Sequence, residues 1–234
     1  MAGHPTIGTT FALAIEDRIA RGRERFVFEL GIGPTPVALE WNARGLSFAW
    51  MTQPLPQFGA TVEDRHALAT AIGLTPGDLL DRPAQMVSCG VPFFFIPLAT
   101  RAAVDSLSLD RRALLRTFHA AGLDELPVFF FTPDRIGAGD ETVYSRMLAP
   151  GLGVAEDPAT GGASGPLGCY LLRHGLVGRE DAQAIVSLQG VAMKRPSRIH
   201  ISIDSDTSGN ITGVRVGGQS VLIGRGEVGA SETE

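Results

Sequence analysis

Two short segments hold the residues whose types and spacing could do chemistry. Gly3-His4-Pro5-Thr6-Ile7-Gly8 stands ahead of an apolar stretch containing Phe11, Leu13 and Ile15. Asp157-Pro158-Ala159-Thr160-Gly161-Gly162 stands ahead of another, containing Leu167, Tyr170, Leu171 and Leu172. Each joins an ionisable residue to proline, then threonine and glycine. Proline suits a loop entering a helix, because its φ is fixed and it has no N–H to satisfy. Glycine lets the backbone approach a ligand closely. The first turn of a helix leaves N–H groups without intrahelical partners, at the positive end of the helix dipole, where they favour a carboxylate or a developing oxyanion. Two such loops could converge on one anionic substrate, with His4 and Asp157 beside it as proton carriers or orienters. On these residues alone, two ordinary loop–helix junctions in which Asp157 only caps a turn remain equally consistent.

The surrounding pattern tells which elements would position these loops. The first 22 residues read as a loop and then a helix starting near residue 8, capped by Thr9 or Thr10 and ended by Gly22. Residues 26–30, 36–41 and 45–51 alternate like strands, the first two joined as a hairpin. Residues 52–60 read as turns and 62–73 as a helix with Glu63 and Asp64 in its first turn. Pro76, Gly77 and Pro83 mark a domain boundary near 75–83, which divides the chain into 1–80 and 81–228, with a polar tail at 229–234. In the second part, residues 85–88, 93–98, 127–132 and 140–148 read as strands and 110–121 as a helix. Residues 165–174 read as a helix ended by Gly175. Four more strands follow at 182–190, 198–204, 211–216 and 220–227. In the second of these, Ile199, Ile201 and Ile203 share a face, with His200 on the other. The order is mostly strands with a few separate helices, which is α+β and not alternating βαβ.

Composition narrows the function. The 234 residues carry a net charge of −5, which supplies no attraction for nucleic acid or an anionic membrane. Residues 91–98 are too short, and too rich in proline, to span a bilayer. No basic region precedes an apolar one at the N-terminus, so a cytoplasmic location is expected. Lys194 is the sole lysine, which makes a Schiff-base mechanism a poor fit. Gly31-Ile32-Gly33 and Gly151-Leu152-Gly153 lack the third glycine and the βαβ setting of a dinucleotide site. Cys89 and Cys169 lack metal-site spacing, and His66, His119, His174 and His200 are scattered, so no metal and no cofactor is expected. His174, at a helix C-terminus, sits where the dipole favours its charge.

The loops, taken with other segments, resemble a known family. Gly3-His4-Pro5-Thr6-Ile7-Gly8-Thr9 is similar to the GHPTxGT motif of PhzF-like proteins, relatives of the phenazine-biosynthesis isomerases and diaminopimelate epimerase. Residues 151–161, ending Glu156-Asp157-Pro158-Ala159-Thr160-Gly161, are similar to its G-x-x-EDPATG signature. Gln189-Gly190 with Arg195-Pro196-Ser197-Arg198 resembles its QG…RPS segment, and Val216-Gly217-Gly218 the start of its last strand. These matches keep the family order from residue 2 to about residue 228.

The resemblance implies two similar α+β halves, each a barrel-like sheet around a central apolar helix, with the active site in the cleft between them. It implies a cofactor-independent isomerase that shifts a proton on a small carboxylate substrate; the best-known member acts on trans-2,3-dihydro-3-hydroxyanthranilate. By this resemblance His4 and Asp157 occupy active-site positions, and Gly3, Thr160, Gly161 and Gly162 line the substrate site. Gly162 departs from the serine usual there. The family also has a segment ahead of GHPT that bears the proton-shuttling glutamate. This sequence opens on the motif, so an incomplete first half, exposed sheet edges and an upstream start are expected, and a catalytically inactive small-acid binder is the alternative. A homodimer is the expected assembly. Related racemases use paired cysteines, but here the equivalent loops carry His4 and Asp157, and Cys89 and Cys169 read as core residues.

Overall fold

The computed structural model describes residues 3–31, 33–133, 140–226 and 229. The chain runs α1 (Gly3–Ile15), β1 (Arg25–Leu30), β2 (Gly33–Asn42), β3 (Gly45–Thr52), β4 (Gln57–Val62), α2 (Arg65–Ala71), β5 (Ala84–Ser88), β6 (Pro92–Pro97), α3 (Arg101–Ser106) and α4 (Arg111–Ala120). It continues with β7 (Val128–Pro133), β8 (Val143–Ala149), β9 (Val154–Asp157), α5 (Gly161–Arg173), β10 (Ile185–Gln189), β11 (Ser197–Ser205) and β12 (Ile211–Gly218). The strands form one sheet in the order β1-β2-β3-β12-β11-β10-β8-β7-β6-β5-β4, with β9 on β8. Only β10–β8 and β6–β7 pair in parallel. The architecture is α+β, as the mostly-strand order predicts.

Three apolar clusters hold it. In the first, Val37, Leu39, Ala49 and Met51 point inward from β2 and β3 onto Ile7 and Phe11 of α1. Their period of two is what a sheet with one covered face requires. The other two clusters share β6 and β7. Phe93, Phe95, Phe129 and Phe131 face α5, while Phe94, Ile96, Val128 and Phe130 face α2, α3 and α4. Both faces of these strands are covered, which is why they read as unbroken apolar runs rather than alternating ones. Removing a buried ring such as Phe130, which is fully enclosed, would cost roughly 3–5 kcal/mol.

Local signals account for the starts of α2, α3 and α4. The carboxylates of Asp64 and Asp110 accept from Ala67 N and Ala113 N, and the Thr100 hydroxyl accepts from Ala103 N. Asp110→Ala should therefore lower stability by about 1 kcal/mol, read as a shift in the urea midpoint without a change of slope.

Several expectations are corrected. α1 starts at Gly3, not near residue 8, so the GHPT residues form its first turn. Pro5 is tolerated there because first-turn N–H groups have no intrahelical acceptor. Thr10 is no cap; it lies inside the helix with its hydroxyl donating to Thr6 O at 2.8 Å. α5 starts at Gly161, with Pro166 inside the helix rather than at its start. Eleven of its residues are buried, and that packing outweighs the proline penalty. β4, α3 and β9 arise where turns or no element were expected; β4 gains its partner from β5, and β9 folds back on the end of the neighbouring β8. Residues 219–226 carry no strand. β4 pairs with β5 and α2 packs on α4, so after β3 the chain packs into the second and third clusters.

His174 also departs from expectation. Burial, then the positive charges of Arg173 and Arg82, lower its pKa below the ordinary 6.5. Its Nε2 lies 3.0 Å from Gln85 Oε1 and its ring centroid 4.3 Å from that of Tyr170. Desolvation outweighs the helix dipole. A histidine with a depressed folded pKa binds more protons when unfolded, so it stabilises above pH 6.5 and loses that contribution as pH falls toward the folded value. The melting temperature should drop on acidification below about pH 6.5, and His174→Gln should flatten that drop.

Candidate active site

The site is built where two helices begin. The N-terminus of α1 abuts that of α5 so closely that a Cβ on Gly3 would lie 2.5 Å from Gly161 Cα. Only glycine permits this backbone-to-backbone approach. Two positive dipole ends thereby meet at one place.

His4 follows Gly3 and is exposed. Its Nδ1 lies 2.9 Å from Ala159 O, across 155 residues of sequence. A carbonyl only accepts, so Nδ1 carries the proton and Nε2 is the nitrogen left to exchange one.

The Asp157–Thr160 loop is clamped from inside. The Thr160 hydroxyl donates to Asp157 Oδ2 at 2.6 Å. Gln189 is fully buried at the end of β10. Its Nε2 donates to Asp157 O at 2.6 Å and Thr160 Oγ1 at 2.9 Å, and its Oε1 accepts from Thr160 N at 3.1 Å. Gly190 next to it has φ +79°, and a Cβ there would meet Arg195 O at 2.4 Å and Pro158 O at 2.8 Å. The QG pair is thus the seat on which the EDPATG loop rests. Glu156 is anchored separately by a two-pronged contact with Arg146, at 3.0 and 2.9 Å. Both side chains are mostly buried, and this pairing holds the Arg146 guanidinium above its ordinary pKa.

The first turn of α5 is partly spent. Gly161 N–H bonds to Ala159 O at 3.1 Å and Ala163 N–H to Thr160 O at 3.0 Å. Gly162 N–H has no backbone acceptor outside the helix among the described residues. Gln53, just beyond β3, reaches across to donate to Gly161 O at 2.9 Å, while its buried Oε1 has no partner among the described residues. Nothing in the sequence singles out Gln53, because its partner lies 108 positions away.

Beside the two helix starts lies a cavity of about 700 Å³, lined among others by Gly3, His4, Gly161, Ser197, Arg198 and Gly218. Of the expected site residues, Gly3, His4 and Gly161 line it; Asp157, Thr160 and Gly162 are not among its lining residues. Arg198 at the cavity wall is ion-paired with Asp140 and Glu141. Cys89 and Cys169 lie buried in the cluster around α5, where contact with Cys89 and burial raise the Cys169 thiol pKa far above its ordinary value. Among the described residues no cluster of three metal-ligating side chains is found, and no helix is long and apolar enough to cross a membrane.

Comparisons with known proteins give the lineage. Residues 1–226 match the family described as phenazine biosynthesis-like protein. A trans-2,3-dihydro-3-hydroxyanthranilate isomerase from Pseudomonas chlororaphis is 34% identical over 97% of this chain and 74% of its own length. A protein named as an uncharacterised isomerase from Clostridium acetobutylicum is 28% identical over 97% and 74%. Among solved structures, a predicted epimerase from Pseudomonas aeruginosa superposes with a TM-score of 0.76 at 29% identity, covering 99% of this chain and 75% of that one. A PhzF-family protein from Bacillus anthracis has the same fold, with a TM-score of 0.76 at 22% identity over 93% and 72%. With the GHPT, EDPATG and QG…RPS segments gathered at one place in that fold, the chain belongs to the PhzF-type phenazine biosynthesis-like family, whose named relatives are isomerases.

Proposed function

We propose that this chain is an acid–base isomerase that shifts a proton on a small carboxylate-bearing substrate. The observation that carries this reading is the meeting of two helix N-termini at Gly3 and Gly161, beside a cavity onto which His4 opens. A substrate carboxylate set against these helix starts gains from the two dipoles. Proton removal from an adjacent carbon spreads negative charge onto that carboxylate, where the same groups stabilise it more strongly than in the ground state. His4, held through Nδ1, presents Nε2 to take up or return the proton. Asp157, tied to Thr160 and Gln189, holds the turn that carries the His4 acceptor. The proton lost at one carbon returns at another, so no cofactor enters the balance.

A second reading rests on one observation: among the described residues that line the cavity, only His4 and Arg198 are titratable and none is a carboxylate. A small-acid binding protein would need no more than this. Incubation with trans-2,3-dihydro-3-hydroxyanthranilate in D2O separates the two. Deuterium appearing in the recovered compound supports the isomerase. Saturable binding with no exchange supports the binder, and neither binding nor exchange removes this compound as ligand.

A further inference from the structure

A second cavity, of about 560 Å³, lies at the opposite end of α5 from the candidate active site. The helix separates the two by about 20 Å at its usual rise. The cavity walls come from four places: the connector after β3, the last turn of α5, the loop after it, and the β11–β12 turn. Leu55, Phe58, Leu172 and Ile211 give it an apolar surface, and Leu55 is 55% exposed. Arg173 and Arg179 supply two guanidinium groups, and no lining residue is acidic.

Among the described residues neither guanidinium forms a close ion pair, though the Asp206 carboxylate attracts Arg179 from farther away. Arg173 lies over the Phe58 ring, 4.2 Å from its centroid, and makes no hydrogen bond among the described residues. Stacking of this kind fixes the plane of the guanidinium and leaves its N–H edge available. Arg179 makes only long contacts, 3.4 Å to Ser205 Oγ and 3.3 Å to Thr207 O. The nearby Asp206 carboxylate is occupied by Ser208 N, Asn210 N and Asn210 Nδ2, each at 2.9 Å. The carbonyls at the end of α5 are also taken: His174, Gly175 and Leu176 donate to Tyr170 O, Leu172 O and Leu171 O. The negative end of the helix is therefore covered, and the charged residues that line the cavity are the two arginines.

We infer that this cavity binds an organic acid with an apolar body, its carboxylate between Arg173 and Arg179 and its hydrocarbon part against Leu55, Leu172 and Ile211. Paired guanidinium groups match a planar carboxylate, and the apolar walls favour a ring or branched chain over a bare anion. The site is separate from the one proposed above, so it stands or falls independently of the isomerase reading.

Phenylacetate is the probe, with benzyl alcohol and inorganic phosphate as controls, followed by methyl NMR and calorimetry on the full chain. Phenylacetate should shift the methyl signals of Leu55, Leu172 and Ile211 saturably. Arg173→Gln with Arg179→Gln should weaken that binding by about tenfold or more, since charge-assisted pairs dominate it, while His4→Gln should leave it unchanged. Leu55→Glu, which adds a carboxylate to an exposed wall without touching either arginine, should weaken it as well. The inference is overturned if those methyls do not shift, if the double variant binds as tightly as the parent, or if phosphate or benzyl alcohol matches phenylacetate.

Discussion

His4→Gln should lower solvent-deuterium incorporation by about 10²–10⁴-fold, the usual worth of a positioned general acid–base group. The fold should be little changed, because His4 is exposed and lies on the first turn of α1, where its backbone N–H has no intrahelical acceptor to lose. A melting temperature close to the parent's, together with the lost exchange, would place the effect in chemistry. Glutamine keeps a donor for Ala159 O but cannot exchange a proton near neutral pH. Substrate binding should persist within a few fold, since the helix N-termini remain. An unchanged exchange rate in this variant would remove His4 from the mechanism.

Gln189→Leu should be the most damaging single change near the site that touches no ligand. The two side chains are similar in size, so packing is conserved, but three hydrogen bonds disappear. Thr160 N and Asp157 O would be left buried or half-buried without partners, at about 1–3 kcal/mol for each. A loss of about 3 kcal/mol or more in unfolding free energy follows, read from the urea midpoint at constant slope. The turn that holds Ala159 O toward His4 would also loosen, so substrate affinity should fall together with stability. A Gln189→Glu variant turns the donor to Asp157 O into a buried carboxylate oxygen facing that carbonyl, and should be at least as damaging as leucine. If Gln189→Leu melts like the parent, the clamp is not what holds the loop.

The fold class was legible because apolar periodicity is a local property. The alternation in residues 36–41 and 45–51 and the unbroken runs at 93–98 and 127–132 follow from one covered face or two, and the structure has strands in all four. Asp64 and Asp110 cap their helices through an N–H three residues on, although the sequence pattern put Asp64 inside the first turn of its helix. The two loops could be picked out because they repeat one order of ionisable residue, proline, threonine and glycine and resemble two family motifs.

What the sequence did not settle depends on contacts between distant residues. Proline rules placed the start of α5 near residue 165, yet it begins at Gly161, because burial against several strands outweighs a local penalty. The strand expected at 220–227 does not form across its described residues, since alternation alone supplies no pairing partner. The dipole of α5 argued for a charged His174, but the desolvation of that ring is set by elements far away in sequence. Gln53 and the Gly3–Gly161 contact had no sequence signal at all. By itself, the sequence determined which segments can be helix, strand and anion-facing loop, because those choices rest on neighbouring residues. Only the tertiary structure decided that Gly3, His4 and Gly161 share a cavity wall, because that placement is made by packing across more than 150 residues of chain.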